Sequence, residues 1–135
     1  MYRLAGVSYA TRQKVVLNAV FERAKRPLTP SEICEAARKD LPTLGIATVY
    51  RAIRQFVAEG RVRAVEVPGA APHYENVTSH HHHFFLCQHC QRLFDLVGCI
   101  AGFSSLAPKG FRVQHHEIVL YGECAACLRR AGQSL

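Results

Sequence analysis

The sequence predicts an α+β protein whose two halves differ in character, and three observations indicate this division. The N-terminal half shows three helical patterns followed by two short extended runs. All eight histidines and five of the six cysteines lie in residues 68–135. Residues 1–67 carry 12 Lys and Arg against 6 Asp and Glu, whereas residues 68–135 carry 5 against 4. A basic helical module is therefore followed by a metal-rich module.

Apolar spacing and capping residues predict the first two helices. In "TRQKVVLNAVFERAK", residues 11–25, apolar side chains recur at helical spacing and form one stripe. The members of that stripe are Val16, Ala19, Val20 and Ala24. The second helix opens with a capping box, in which Thr29 is the N-cap, Pro30 the first helical residue and Glu32 the third. We expect this helix to end near Leu41, because Pro42 cannot continue it.

The third helical segment is "TLGIATVYRAIRQFVAEG", residues 43–60, and Gly60 suits a left-handed C-cap at its end. The pattern assigns one face of this helix to a core. The core-facing residues are Val49, Ile53, Phe56 and Val57. The residues predicted to lie on its other faces are Thr48, Arg51, Arg54 and Gln55.

Residues 61–76, "RVRAVEVPGAAPHYEN", contain two extended runs around Pro68-Gly69, as a small hairpin requires. In the first run Val62, Ala64 and Glu66 alternate with Arg63, Val65 and Val67. Three helices and a hairpin, basic overall, predict a winged helix-turn-helix whose third helix can lie in the major groove of DNA. One alternative is a three-helix domain that binds protein, and another is a basic surface that is merely solvated.

The sequence also predicts the cellular compartment of the protein. The chain has no apolar run of membrane length, and its first residues, "MYRLAGVSYATRQK", lack the apolar core of a secretory signal. We therefore expect a cytoplasmic protein that makes no membrane contact. Its cysteines should be reduced, which favours thiolate metal ligation over disulfides.

Two Cys-x-x-Cys pairs carry the sharpest chemical signal. Cys87 and Cys90 form the first pair, and Cys124 and Cys127 form the second. Together they offer four thiolates to one tetrahedral ion and leave no open position, as in a structural zinc site. The alternatives are two unrelated reduced pairs or a redox couple. A redox couple usually opens a helix in a thioredoxin-like context, which is missing here.

The run "SHHHHFFLC", residues 79–87, predicts a second metal site. The run is internal and precedes a strand-like segment, so it is not a terminal purification tag. Alternate residues of a strand share a face, which places His81 with His83 and His80 with His82. Further candidate ligands are His73, Glu75, Asp95, His115 and His116. Imidazole and carboxylate ligands suit Zn(II), Fe(II), Mn(II) or Ni(II).

Three stretches together resemble the ferric uptake regulator family: "IATVYRAIRQF", "HYEN…HHHHFFLCQHCQRLFDL" and "GFRVQHHEIVLYGECAAC". The resemblance covers roughly residues 10–127. It implies a homodimeric, metal-dependent DNA-binding regulator, usually a repressor. We accordingly place a winged-helix DNA-binding domain with its hinge at residues 1–76 and a small α/β dimerisation domain with a four-cysteine zinc site at residues 77–135.

Carried over residue by residue, the resemblance assigns Tyr50 and Arg51 to the DNA-contacting pair of the third helix. A tyrosine ring can meet a thymine methyl, and an arginine can reach guanine or phosphate. The alternative for Tyr50 is a packing residue. Thr48 and Arg54 complete the set of residues that we expect to meet DNA.

The family's hinge metal site is matched by Glu75, His82 and Asp95, with two departures. Pro27 stands where a histidine of the DNA-binding domain is common, and Phe84 stands where a histidine precedes the first cysteine pair. A β-bulge could bring His83 into the role of Phe84, or His73 could substitute.

The family's second sensory site is matched by His81, His83 and His116. Its usual acidic ligand falls near Gly102, and the segment between Asp95 and Gly110 is short. Cys99 could fill the gap as a soft ligand, which would favour zinc, or could simply close a turn.

Three hypotheses and one further option, a zinc storage protein, follow. In the leading one, a second divalent metal, Zn²⁺ or Fe²⁺ foremost, controls binding of a homodimer to a palindromic operator of metal-uptake or metal-homeostasis genes. A close variant is a peroxide sensor in which peroxide, reacting at bound Fe(II), oxidises a histidine ligand. From a different class come a zinc-dependent enzyme with an open coordination position and a zinc storage protein. We expect no enzyme, because no acid or base is positioned apart from the candidate ligands.

Overall fold

The computed structural model describes residues 6, 8–78, 81–98 and 101–133. The chain divides into two compact units, residues 1–79 and 80–135. The elements of the first unit are α1 (Tyr9–Arg23), α2 (Pro30–Ala37), α3 (Ile46–Ala58), β1 (Val62–Val65) and β2 (His73–Asn76). The elements of the second are β3 (His83–Cys87), β4 (Leu93–Leu96), a short 3₁₀ helix (Phe103–Leu106), β5 (Val119–Gly122) and α4 (Ala125–Gln133). The fold is α+β, as predicted. The boundary placed at residues 76 and 77 stays a prediction.

Helix α1 begins earlier than its predicted stripe and buries a different pair of residues. The hydroxyl oxygen of Ser8 caps the helix by accepting from the main-chain N–H of Thr11 at 3.3 Å. Leu17 and Phe21, spaced by four residues, are 1% and 4% exposed and face the core. The predicted members Val16, Val20 and Ala24 are only partly buried and pack at the edge of this core. The predicted stripe was therefore displaced by about one residue, because the largest apolar side chains set the buried face.

Helix α2 has the predicted capping box. The hydroxyl of Thr29 accepts from the main-chain N–H of Glu32 at 3.2 Å, and the Glu32 carboxylate accepts from that of Thr29 at 3.1 Å. Burial opposes ionisation of Glu32, but the hydrogen bond from Arg26 and those from Thr29 outweigh it and lower the pKa of Glu32. The helix ends at Ala37, four residues before the predicted end, and Leu41 is buried in the turn that follows.

Helix α3 completes the core. Val49, Ile53 and Phe56 are at most 2% exposed, and Phe56 meets Phe21 edge to face at 6.1 Å between ring centroids. Gly60 has φ of 73°, the left-handed conformation predicted for it. Val57 is 40% exposed, so its assignment to the core was wrong. The side chain of Val57 lies beyond the edge of the buried face, which Phe56 fills.

The hairpin forms the predicted wing and is anchored to the helices. β1 and β2 are antiparallel, with Val62 opposite Asn76 and Val65 opposite His73. On its other side, β2 exchanges two main-chain hydrogen bonds between Tyr74 and Leu28, of 2.7 and 2.9 Å. Burial along β1 does not alternate strictly, because Val62 and Val65 are both buried. The wing is thus fixed to the segment before α2.

The second unit is a three-stranded sheet in the order β4-β3-β5, followed by α4. β3 is antiparallel to β4 and parallel to β5, with Phe84 opposite Asp95 on one side and opposite Val119 on the other. The expected closing strand is regular only from Val119, and residues 111–118 carry no regular secondary structure. Within the described parts of the chain, no helix is long and apolar enough to span a bilayer.

Removal of the capping box of α2 should destabilise the first unit. We expect Thr29→Ala to lower the free energy of unfolding by about 1 kcal/mol, because the helix loses its side-chain cap and Glu32 loses two hydrogen bonds. Urea denaturation followed by helical circular dichroism measures this change. The matched control is Ser31→Ala, which removes an exposed hydroxyl two residues later in the same helix. Equal stability of the two variants would contradict the capping assignment.

Candidate metal centres and nucleic-acid interface

Four cysteine sulfurs meet at one end of the sheet. Sγ of Cys87 lies 3.8 Å from Sγ of Cys127, and Sγ of Cys90 lies 3.9 Å from Sγ of Cys124. All four sulfurs lie within 4.8 Å of one another. These separations are far longer than a disulfide bond and match the edges of a tetrahedron of thiolates around one ion. The four predicted cysteines are therefore together, and their donor set fits zinc.

Local backbone geometry builds this cluster. Cys87 ends β3, and the turn after it carries Gln91 in a left-handed conformation with φ of 63°. The turn closes because the N–H of Gln91 donates to the carbonyl of Cys87 at 2.9 Å. Cys124 directly precedes α4, and Cys127 lies in its first turn. The cluster therefore joins the end of β3 to the start of α4.

The thiols of the cluster differ in pKa because their surroundings differ. Burial opposes ionisation of Cys87, but hydrogen bonds from the main-chain N–H groups of Cys90, Cys124 and His89 lower its pKa to about 6. Burial, together with contacts to the other three thiols, raises the pKa of Cys127 to about 12. Cys87 is thus prepared as a thiolate, whereas Cys127 must release its proton when an ion binds. Metal affinity of the cluster must accordingly fall as pH falls.

A second cluster consists of three imidazoles. The ring centroids of His81, His83 and His116 are 4.3 to 5.0 Å apart, and Nε2 of His81 lies 3.1 Å from Nε2 of His83. The ligand nitrogens of all three lie within 4.8 Å of one another. His83 is buried at the start of β3, His116 is partly buried and His81 is exposed. The structure therefore brings together the three predicted histidines, and one side of the cluster faces solvent.

His83 is held in a defined state. The main-chain N–H of Ile118 donates to Nδ1 of His83 at 3.1 Å, so the neutral ring carries its proton on Nε2, toward His81. Burial, and then the charges of His81 and His116, lower the pKa of His83. The ring is consequently neutral near pH 7. A cation that binds Nε2 must displace the proton there. The neutral ring would then carry its proton on Nδ1, and the hydrogen bond from Ile118, the residue before β5, would be lost.

An aromatic ring lies beside the three histidines, next in sequence to Gly102, near which the acidic ligand was expected. Gly102 caps the short 3₁₀ helix in a left-handed conformation, and Phe103, the next residue, stacks on His116 at 4.4 Å between centroids. None of the carboxylates that the structure describes joins the three histidines. Cys99 and His80, the other candidates near this site, lie outside the described residues.

The predicted hinge ligands are placed in their own units. In the second unit, Nδ1 of His82 lies 3.5 Å from Oδ1 of Asp95, a buried atom without a hydrogen-bond partner among the described residues. In the first unit, Glu75 on β2 accepts a hydrogen bond from Nε of Arg63 at 2.9 Å. Pro27 is fully buried there and offers no ligand. The orphaned carboxylate oxygen beside an imidazole suits a divalent cation.

One ring nitrogen of His73, the suggested substitute ligand, is already hydrogen-bonded within the first unit. Its Nδ1 donates to the carbonyl of Ala71 at 2.7 Å, and the side chain is 1% exposed. His73 lies within the wing and belongs to neither the four-cysteine cluster nor the three-histidine cluster. His115 is exposed and likewise stays outside both clusters.

The outer face of α3 carries the residues predicted to meet DNA. Tyr50 is 48% exposed, Arg51 and Arg54 are exposed, and Thr48 is partly buried. Nη2 of Arg51 donates to the hydroxyl of Thr48 at 3.0 Å, one turn earlier in the helix. The exposure of Tyr50 argues against a packing role. A face with two guanidinium groups and a phenol fits hydrogen bonding to bases and phosphates.

A groove of about 290 Å³ between α1 and α3 adds residues that sequence reasoning missed. Thr48 and Arg51 line one side of the groove, and Gln13 and Lys14 of α1 line the other. Lys14 thereby adds a positive charge to the groove that Arg51 also lines. The sequence signal was weak, because Lys14 is one of 17 Lys and Arg residues and only packing of α1 on α3 brings it to this face.

A winged helix with an exposed basic third helix, combined with thiolate and imidazole clusters, defines a metal-binding, DNA-binding regulator. The sequence profile of the ferric uptake regulator family matches residues 5–121, and the chain belongs to that family. Members of the family are DNA-binding transcription regulators that bind metals and are not enzymes.

The names of individual relatives refer to different signals, namely peroxide, manganese and iron. The peroxide operon regulator of Bacillus subtilis (strain 168) is 28% identical over 128 residues, which cover 93% of this chain and 87% of that protein. A zinc-bound manganese uptake regulator has a similar structure, with a TM-score of 0.72, 21% identity, and coverage of 83% of this chain and 87% of that one. The ferric uptake regulator Fur of Helicobacter pylori follows with a TM-score of 0.64 at 20% identity, covering 87% and 80%. The structural likenesses support the fold.

Loss of one cluster thiol should remove the metal of the four-cysteine site. We expect Cys90→Ser to bind less than one tight zinc per chain and to lose the folded second unit, because three thiolates leave the ion exposed. Elemental analysis and near-ultraviolet circular dichroism measure both effects. The control is Cys34→Ser, since Cys34 lies in the core of the first unit and its thiol donates to the carbonyl of Leu44. A folded Cys90→Ser protein with full zinc would disprove the assignment.

Proposed function

We propose that the protein is a metal-dependent repressor of metal-uptake or metal-homeostasis genes. The observation that carries this proposal is the presence of two different clusters of candidate metal ligands in the second unit. The four-cysteine cluster is closed and suits a permanent ion, whereas the three-histidine cluster is partly exposed and suits an exchangeable one. A separate exchangeable site is what a regulator needs to report metal supply.

We assign zinc to the four-cysteine cluster, because thiolates in a tetrahedral set select zinc among the common divalent ions. For the regulatory metal we propose Zn²⁺ or Fe²⁺. Three imidazoles favour zinc, and the pairing of His82 with Asp95 suits either ion. We also propose that Glu75 joins His82 and Asp95 in a hinge site, as the family resemblance implies.

In this proposal, the form of the protein that binds the operator is a homodimer. β5 is an edge strand, and it exposes Leu120 and Tyr121 by 48% and 43%. An edge strand with exposed apolar side chains is a template for pairing with a second chain. A homodimer also matches the two half-sites of a palindromic operator. A regulator of transcription acts on chromosomal DNA, so we place the protein in the cytoplasm and expect no membrane partner.

Metal binding would act by selecting the arrangement of the dimer that fits DNA. A shift from 1% to 99% of competent molecules needs about 5.5 kcal/mol of differential metal binding, which several nitrogen and oxygen ligands can supply. Thr48, Tyr50, Arg51 and Arg54 would then meet the operator, with Lys14 on the phosphates beside them. Phosphate contacts make the affinity fall steeply with salt.

Substitutions at the DNA-facing side of the first unit should separate base reading from phosphate binding. We expect Arg51→Ala to weaken operator binding by about 1–3 kcal/mol and to reduce discrimination against non-specific DNA. Lys14→Ala should weaken binding to all sequences. It should also reduce the slope of log affinity against log salt concentration by about one. Fluorescence anisotropy at several salt concentrations measures both effects.

The matched control for these variants is Arg129→Ala, which removes one exposed positive charge from α4. It should leave operator affinity close to that of the parent protein. If Arg129→Ala and Arg51→Ala weakened binding equally, the effect would be one of net charge, and α3 would not be the reading helix.

Variants of the histidines should identify which set regulates DNA binding. We expect His81→Ala to retain one tight zinc per chain and the fold, yet to lose much of the metal-induced gain in operator affinity, because the cluster keeps only two imidazoles. His82→Ala is the matched variant, since it removes the neighbouring imidazole from the other predicted set. Unchanged metal response in both variants would refute a regulatory role for either set.

Peroxide sensing is the second candidate, and the name of the Bacillus subtilis relative favours it. In that case Fe(II) bound beside His82 and Asp95 would lead to oxidation of a ligand histidine. Mass spectrometry of the Fe(II)-loaded protein after hydrogen peroxide treatment distinguishes the candidates. Addition of one oxygen atom at His82, with loss of DNA binding, is the peroxide-sensor result. A metal sensor should show neither.

A further inference from the structure

An ion pair crosses the wing hairpin at Glu75, one of the predicted metal ligands. Arg63 on β1 lies directly opposite Glu75 on β2 in the antiparallel register. Nε of Arg63 donates to Oε1 of Glu75 at 2.9 Å, and Nη2 of Arg63 donates to the same oxygen. Within the part of the chain that the structure describes, the Arg63 side chain donates to no other acceptor. The guanidinium group of Arg63 is therefore bound to this carboxylate.

We propose that Arg63 competes with the regulatory metal for the Glu75 carboxylate and so sets the metal concentration at which the protein responds. This inference rests on the proposed function, because it assumes that Glu75 is a ligand of that metal. A guanidinium group is always protonated and has no lone pair for a metal. Arg63 is therefore an opponent of the ion and never its ligand.

Burial makes this opposition strong. Glu75 is 8% exposed. Water and salt screen charges around a buried carboxylate less than they screen charges at the surface. A divalent ion that binds the carboxylate meets the charge of Arg63 at short range, and the repulsion favours release of Arg63 from Oε1. The affinity of Glu75 for the ion is lowered by the free energy of the bond to Arg63.

Arg63 can leave the carboxylate while the hairpin stays paired. Its side chain is 37% exposed, so the guanidinium group can turn into water on its flexible stem while the main chain of β1 stays bonded to β2. Because loss of a cationic partner destabilises a buried carboxylate, the departing charge is best replaced by another cation. Arg63 and the metal ion are thus alternative cations for Glu75, and each lowers the affinity of the other by the same factor.

Mn(II) binding to variants that keep their tight zinc tests this inference. The background is His81→Ala, which removes one ligand of the three-histidine cluster and leaves the added ion to the predicted hinge ligands. Mn(II) suits carboxylate and imidazole ligands, whereas a set of four thiolates selects zinc. The electron paramagnetic resonance signal of free Mn(II) measures the affinity.

We expect Arg63→Gln to raise the Mn(II) affinity by about tenfold or more. The scale follows from protons, because an arginine beside a carboxylate weakens proton binding to it by about tenfold to a thousandfold. Arg63→Lys keeps the charge and should give a smaller gain than Arg63→Gln. An unchanged or lower Mn(II) affinity in folded Arg63→Gln would overturn the inference.

Two controls separate competition at Glu75 from a general effect of charge. Arg61→Gln removes a positive charge two residues earlier, on a side chain that pairs with Asn18 and Glu59, and it should leave Mn(II) affinity close to that of the parent. Glu75→Gln should lower Mn(II) affinity, and Arg63→Gln should have no further effect in that background. An equal gain from Arg61→Gln, or a gain from Arg63→Gln that persists without the carboxylate, would contradict competition for Glu75.

The parent protein supplies a readout that does not depend on the folding of a variant. Exchange of the Arg63 Nε proton with water, followed in ¹⁵N nuclear magnetic resonance spectra, should accelerate when added Zn(II) saturates the protein. The reason is that the hydrogen bond from Nε to Oε1 is then broken. An exchange rate that stays the same in the saturated protein would show that Arg63 keeps its place and would overturn the inference.

Two outcomes distinguish failure of this inference from failure of the proposed function. If Glu75→Gln leaves Mn(II) affinity unchanged, Glu75 is no ligand and the inference fails, while metal-dependent operator binding through the three histidines can still hold. If Arg63→Gln raises Mn(II) affinity as expected and no metal changes operator affinity, the inference stands as metal chemistry and the proposed function fails.

Discussion

The thiolates of Cys87, Cys90, Cys124 and Cys127 join the end of β3 to the start of α4, and the second unit depends on that junction. Among its described residues the buried apolar side chains are few, namely Leu86, Leu93 and the two cysteines Cys87 and Cys127. Among its own described residues, the first unit buries fourteen apolar side chains in addition to Pro27 and Pro30. A core as small as that of the second unit seldom folds without a metal or a disulfide. The binding free energy of a structural zinc ion is folding free energy in such a unit.

The same strand connects the closed cluster to the exchangeable one. β3 begins at His83 and ends at Cys87, so an ion in the four-cysteine cluster would fix a strand whose other end carries a candidate imidazole ligand. β5 is parallel to β3, and the hydrogen bond from Ile118 to His83 joins its start to the histidines. In the proposed function, a permanent ion would thus hold the sensory ligands close together before a second ion arrives, which would lower the ordering cost of binding it.

Local signals in the sequence predicted much of this structure. The capping box at Thr29, the left-handed Gly60 and the two cysteine pairs depend on neighbouring residues, and all three have the expected geometry. Features set by packing between elements were predicted less well. The buried face of α1 centres on Leu17 rather than on the predicted stripe, and Val57 is exposed. The stacking of Phe103 on His116, and the groove that Lys14 and Arg51 both line, depend on packing between separate segments, which a single sequence does not reveal.

Hydrogen–deuterium exchange of the reduced protein, with zinc bound and after its removal by a chelator, tests the central claim most directly. The account predicts that amides of β3, β4 and β5 lose protection when the zinc is removed, whereas amides of α3 keep theirs, because the first unit has its own core. Returning one equivalent of zinc should restore the protection of the sheet. A sheet that stays protected without zinc, or an equal loss in α3, would contradict the claim that the four-cysteine cluster holds the second unit together.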